Sequence, residues 1–367
     1  MLTFAIPTWN RPSQFEKCVR SIASQITDPS KASILIGDDC SEQSTVDVIE
    51  KLKAEFPFIQ SYRNERRSDY TAAFKRLFTA PELADGYVWT FGDDDLLEPN
   101  ALKFMLEELD RHPDIDFFHV AEASRASEKS GAFTGTLFDL CCEFGWIEMT
   151  GFITGNITRV KYLRAAGDSP RWPHYARCAF AQSCALLEIL HDKQALFLDV
   201  PLIRTQDNSL TDESMKRWTD DDIPGRYMLV AECLRLMYEA GILQVKVPKK
   251  FFRYLVYHLW DRFITYMVND YIDRGQMWPP DRWGQVKSFA HFLADEKEAA
   301  EICNDVDACQ GLIFACNIAR QQADSFVRTI AEVAIKRNAE IYSYGYREAG
   351  TGRPVVVSGE PVDHHPV

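Results

Sequence analysis

The first 120 residues alternate short apolar runs with stretches of helical period, and this alternation restricts the fold more than any other feature of the chain. Leu2 to Pro7 is apolar and ends in Pro-Thr-Trp-Asn-Arg-Pro, as a strand leaving its sheet through a turn does. Pro12 then opens a helix whose apolar face is Phe15, Cys18, Val19, Ile22 and Ile26. The unit recurs: Ala32 to Gly37 reads as a strand ending in Asp38-Asp39-Cys40-Ser41, and Ser44 to Phe56 as a helix with Val46, Ile49 and Leu52 on one face. Phe58 to Tyr62 follows as strand, Asp69 to Leu83 as helix and Gly86 to Phe91 as strand. Pro99-Asn100 opens a helix through Leu102, Met105, Leu106 and Leu109, and Ile115 to Val120 is a fifth strand. Repeated β-α-β predicts an α/β fold with a mainly parallel sheet covered by helices on both faces.

In such sheets ligands bind beyond the carboxyl ends of the strands. Three of these ends carry Thr8-Trp9-Asn10, Asp38-Asp39 and Asp93-Asp94-Asp95, so their loops should converge on one site. Three consecutive aspartates at partial burial repel one another and need a cation or solvent. Their hard oxygens suit Mg²⁺ or Mn²⁺, held by one or two side chains together with ligand phosphates. A second triplet, Asp220-Asp221-Asp222, has no strand before it and reads as a loop.

Composition removes several classes. The 54 Asp and Glu against 41 Lys and Arg, a net charge of −13, argue against a duplex nucleic-acid binder, which requires a basic face. The longest stretch without charge, Ala308 to Ala319, is 12 residues, against about 20 for a membrane span. The first residues lack the basic and apolar regions of a signal peptide. None of the ten cysteines forms a C-x-x-C pair, so the expectation is reduced, mostly buried thiols in a cytoplasmic protein.

The order of motifs resembles the inverting nucleotide-sugar glycosyltransferases of family 2, with the GT-A fold. The resemblance covers about residues 2 to 200 and rests on four pieces. These are Ile6-Pro7-Thr8-Trp9-Asn10-Arg11-Pro12, Gly37-Asp38-Asp39-Cys40-Ser41, Arg63-Asn64, and Gly92-Asp93-Asp94-Asp95-Leu96-Leu97-Glu98-Pro99-Asn100-Ala101-Leu102. It implies that Pro7, Thr8 and Asn10 lie against the nucleotide and that Asp38 and Asp39 contact its base. It implies a D-x-D site in the triplet, with Asp93 toward the donor's ribose or sugar and Asp94 or Asp95 on the metal. Where many relatives carry a glycine and a second asparagine, this chain reads Glu65-Arg66-Arg67-Ser68-Asp69-Tyr70. Arg66 and Arg67 then face either the diphosphate or solvent.

An inverting transfer also needs a base for the acceptor hydroxyl. The acidic pair that many relatives place after a glycine is missing from Gly167-Asp168-Ser169-Pro170-Arg171-Trp172-Pro173-His174-Tyr175. His174 is the better candidate, because imidazole titrates near neutral pH, and Asp168 the second. Trp172 and Tyr175 are candidates for a sugar platform, since flat rings stack on the apolar face of a pyranose. Asn156 is a candidate hydrogen-bonding partner of the acceptor, or a turn residue after Gly155.

From Arg226 the pattern turns helical: Met228 to Ala240, Lys250 to Ile272, Arg282 to Ala294 and Ala308 to Ile341. The expected organisation is a catalytic domain over 1–210, a helical domain over 225–345 and a flexible tail over 346–367. The second of these helices is aromatic, with lysines at its start. It is expected either on the inner face of a membrane, where lipid-linked acceptors sit, or packed on the catalytic unit or on a second copy of it. The expected activity is transfer of a sugar from a nucleoside-diphosphate donor to a glycan or lipid-linked acceptor, in surface polysaccharide synthesis. The alternatives are a sugar nucleotidyltransferase, for which the glycine-rich loop with a lysine is missing after strand one, and a non-catalytic carbohydrate-binding module.

Overall fold

β1 (Leu2–Thr8) is the strand on which the site is built, and a computed structural model shows it between β2 (Ala32–Asp38) and β4 (Tyr87–Thr90), parallel to both. The structure describes residues 1–122, 131–206, 233, 236, 237, 239–243 and 251. The triplet at 220–222, the helices expected after residue 243 and the tail lie outside the described residues.

β3 (Ile59–Arg63) extends the parallel part beyond β2. The helices between these strands are α1 (Pro12–Ala23), α2 (Gln43–Glu55) and α3 (Tyr70–Phe78). Each begins within a residue of its expected start: Pro12 takes the first turn of α1, and the Asp69 carboxylate caps α3 by accepting the Ala72 N–H at 2.8 Å. β5 (Asp95–Leu97), α4 (Ala101–Arg111) and β6 (Phe117–Glu122) follow. Then come β7 (Ala132–Thr136), α5 (Leu137–Phe144), α6 (Trp146–Thr150), a single 3-10 turn at Ile153–Gly155, and β8 (Asn156–Arg159). The described chain continues through α7 (Val160–Gly167), α8 (Trp172–Tyr175), α9 (Ala181–Leu190) and β9 (Gln194–Thr205).

The sheet runs β3-β2-β1-β4-β8-β6-β9-β5, with β7 also on β9. The expected parallel arrangement holds through the first half and again between β6 and β9. β8 is antiparallel to β4 and to β6, and β5 and β7 are antiparallel to β9, so the sheet is mixed. Because β8 runs against both neighbours, β6 points the same way as β4 and delivers its carboxyl end to the same edge.

Side chains alternate across the sheet with period two. Leu2, Phe4 and Ile6 of β1, Ile34 and Ile36 of β2, and Tyr87 and Trp89 of β4 join the core under α1, α2 and α4. Ala5, Leu35 and Val88 join the core on the opposite face, with α3 and α5 to α9. Both faces are thus covered, and each buried Leu, Ile or Phe contributes about 1.5–3 kcal/mol. Among the described residues no helix is long and apolar enough to cross a membrane.

Candidate active site

Three loops leave the carboxyl ends of β1, β2 and β4 side by side, and their polar side chains tie the loops together. Thr8, the last residue of β1, donates its hydroxyl to Asp93 Oδ2 at 2.8 Å. Arg11 reaches the same triplet, with Nη1 3.0 Å from Asp93 Oδ1 and 2.6 Å from Asp94 Oδ2. Sequence reasoning gave Arg11 no role; a guanidinium three residues beyond a strand end is distinguished only by what it meets in space.

The chain between Thr8 and Arg11 turns sharply at Asn10, whose φ of +52 lies in the left-handed region that asparagine tolerates. Its side chain accepts the Glu42 N–H at 2.6 Å, and its own N–H donates to Ser41 Oγ at 3.0 Å, so the β1 and β2 loops are also joined. Pro7, half-buried, pairs in register with Gly37.

In the β2 loop the two aspartates do different things. Asp38, expected to contact a base, is 2% exposed: Oδ1 accepts the Ser41 N–H at 2.9 Å and Oδ2 lies 3.2 Å from Arg63 Nη1. In this structure it fastens its own loop. Asp39 accepts from Asn64 Nδ2 and from Ser68 Oγ, both at 2.7 Å, and so fixes the segment between β3 and α3. That segment carries Arg67, whose guanidinium carbon lies 3.8 Å from the centroid of the Trp9 ring. This cation–π contact bridges the β1 and β3 loops at their exposed mouth.

The triplet is graded by burial. Asp93 and Asp95 are buried and Asp94 is half-buried. Desolvation pushes Asp93 up to about 6, against the pull of Arg11. Desolvation likewise pushes Asp95 up to about 7, against the hydroxyl of Thr154, with Asp94, Asp93 and Glu122 adding repulsion. Thr154 therefore belongs to the site: it donates to Asp95, accepts the Gly92 N–H at 2.9 Å, and its carbonyl accepts from Trp89 Nε1 at 2.7 Å. Gly92 leaves the space that these groups use. A Cβ there would stand 2.9 Å from Asp95 Oδ2, 3.0 Å from Thr154 Oγ1 and 3.2 Å from Asp94 Oδ1. The Asp94 and Asp95 carboxylates thus close on one point above a residue with no side chain, and hard oxygens so gathered fit a Mg²⁺ or Mn²⁺ ion. The chain returns here as well just after β9, where the Gln206 N–H donates to Asp94 O at 3.1 Å.

The expected acceptor residues fall elsewhere. Trp172 and Tyr175 are 3% and 0% exposed and do not form a sugar platform. α8 turns both rings inward, Trp172 edge-on to Phe78 at 6.1 Å, while His174 on the same turn is exposed. Asn156, 2% exposed, donates to Thr150 O at 2.9 Å and lies 3.0 Å from His119 Nδ1, so it braces the sheet rather than an acceptor. Asp168 is exposed at the end of α7. Among the described residues no hydrogen bond joins the side chain of His174 or Asp168 to the triplet.

Residues 3–134, which contain all three loops, match the family model described as Glycosyl transferase family 2. The likeness to that family lies in this region. The family 2 match ends before Asn156, Asp168, Trp172, His174 and Tyr175. A curated relative, abequosyltransferase RfbV of Salmonella typhimurium, is 31% identical over 116 residues, covering 31% of this chain and 34% of that protein. The match thus spans about a third of RfbV. Among solved structures, TarS 1-349 of S. aureus covers 98% of both chains with a TM-score of 0.51 at 13% identity. TarS 1-349 in complex with UDP-GlcNAc gives a TM-score of 0.51 at 16% identity over the same 98% of each chain. At such identity the likeness is one of fold, and that fold is GT-A: a central sheet flanked by helices.

Proposed function

We propose that this chain transfers a sugar, with inversion, from a nucleoside-diphosphate sugar to a hydroxyl of a glycan or lipid-linked acceptor, in the synthesis of a surface polysaccharide. The observation that carries this reading is the convergence of Asp94 and Asp95 over Gly92 at the edge where the Thr8 and Asp39 loops meet. The relatives agree in class, RfbV being named an abequosyltransferase and TarS having been solved with UDP-GlcNAc and with UDP.

Asp94 and Asp95 are the residues that would hold Mn²⁺ or Mg²⁺, and such an ion stabilises the charge of a departing diphosphate. Around that point the chain supplies its own positioning. Thr8 and Arg11 fix the Asp93 carboxylate, which in this reading faces the donor's ribose or sugar. Pro7, Asn10, Asp38 and Asp39 border the nucleotide, and Arg67, held over Trp9, meets its phosphates. His174 is the assigned base, taking the proton of the acceptor hydroxyl as the sugar bond forms, with Asp168 as the alternative. Both are exposed, as a group that must meet an incoming acceptor has to be.

Calorimetry with UDP, GDP and CDP sugars, with and without Mn²⁺, tests the donor site. One donor class should bind tightly only with the ion, and Asp94→Ala and Asp95→Ala should each abolish that metal dependence. Intact metal-dependent binding in both variants would overturn the site. Turnover separates the roles: His174→Ala should lose about 10²–10⁴-fold in kcat with donor affinity unchanged. Unaltered turnover would move the base to Asp168.

A further inference from the structure

Three cysteines, two near one another in sequence and one about fifty residues further on, meet inside the core that lies under α3 and α5 to α9. Cys178 follows α8, Cys184 lies in the first turn of α9, and Cys233 comes from a segment beyond residue 206. Their sulfurs all lie within 4.8 Å of one another, and the residues are 0%, 0% and 2% exposed. Sulfurs bound to one metal at about 2.3 Å stand about 3.8 Å apart, so small side-chain movements would close the trio on an ion. A second observation points the same way: the Phe180 N–H donates to Cys178 Sγ at 3.3 Å. A backbone N–H aimed at sulfur favours its anionic, ligating form.

We propose that Cys178, Cys184 and Cys233 form a buried thiolate site for a soft metal ion of the Zn²⁺ or Cu(I) class. Thiolate donors select these ions over Mg²⁺, Mn²⁺ and Ca²⁺, so the site is chemically separate from the aspartate edge. Metal–sulfur bonds replace sulfur–hydrogen bonds, and the thiol protons pass to solvent. Burial holds the Cys184 thiol well above its ordinary range, and a bound ion is what makes a buried thiolate tenable. The site is structural. It staples the segment bearing Cys233 to the α8–α9 turn, and that turn is already tied to α3, because the Tyr70 hydroxyl donates to Cys178 O at 3.2 Å. The absence of any C-x-x-C spacing hides such a site from sequence.

The test uses the full chain, purified under reducing conditions without chelator. Elemental analysis should find one equivalent of zinc or copper. Replacement by Co²⁺ should give sulfur-to-cobalt charge-transfer absorption, which Asp94→Asn and Cys142→Ala retain and Cys184→Ala loses. Should Cys184→Ala fail to fold, the wild-type spectrum still decides. Wild-type protein with no soft metal and no charge-transfer band on Co²⁺ titration would overturn the proposal. So would a disulfide within the trio in the intact mass.

Discussion

At the scale of single residues, the triplet makes stability depend on pH in an unusual direction. Asp93 and Asp95 sit at about 6 and about 7, above the ordinary 3.8 of the unfolded chain. Between these values the native protein holds protons that the unfolded chain has lost. Their contribution therefore falls as pH rises from about 4 to about 7 and is level beyond. Thermal midpoints in chelator should show wild type losing stability relative to Asp95→Asn across that interval. A difference that stays flat or has the opposite slope would rule out a buried, protonated Asp95. Asp94 and Asp95 were legible as candidates because a strand ended at them. Thr154 and Arg11 were not, since their importance lies in contacts 59 and 82 residues along the chain, to Asp95 and Asp93. Trp172 and Tyr175 misled, because a four-residue helix is too short to show which face is apolar.

At the scale of elements, the edge proposed to bind the nucleotide rests on α3, which links two regions that carry different expected roles. Its N-terminus follows Ser68, which pins Asp39, and its first residue, Tyr70, donates to the carbonyls of Cys178 and Ala179 beyond α8. Tyr70→Phe should lower stability by about 0.5–1.5 kcal/mol and speed amide exchange in α8 while leaving β1 and β2 protected. Uniform exchange across the domain would mean that α3 and α8 are not coupled through this hydroxyl. The strands and helices up to β4 could be read from the chain because each carries its own period and its neighbours follow in order. The second half of the sheet could not. β5 is three residues long and pairs with β9 across more than a hundred residues, so no local pattern announces it. Whether β8 runs with or against β4 is likewise decided by packing rather than by periodicity.

At the scale of the whole molecule, the charge of −13 sets the protein against the anionic donor proposed for it. Attraction then has to be local, through a divalent ion and through Arg67, while the wider field repels. Without divalent ions, donor affinity measured by calorimetry should rise with ionic strength as that repulsion is screened. With Mn²⁺ present the dependence should shrink; affinity that falls with salt in both conditions would show that basic side chains dominate.

The hydrogen bond from Gln206 to Asp94 has a mechanical consequence. β9 ends at the acidic edge itself, with the Gln206 side chain also donating to Gln14 O at 3.0 Å. Displacing Gln206 from that place would pull on the backbone carbonyl of a proposed metal ligand. A substitution that loosens the end of β9 should therefore be felt as a change in metal affinity before it is felt in the sheet.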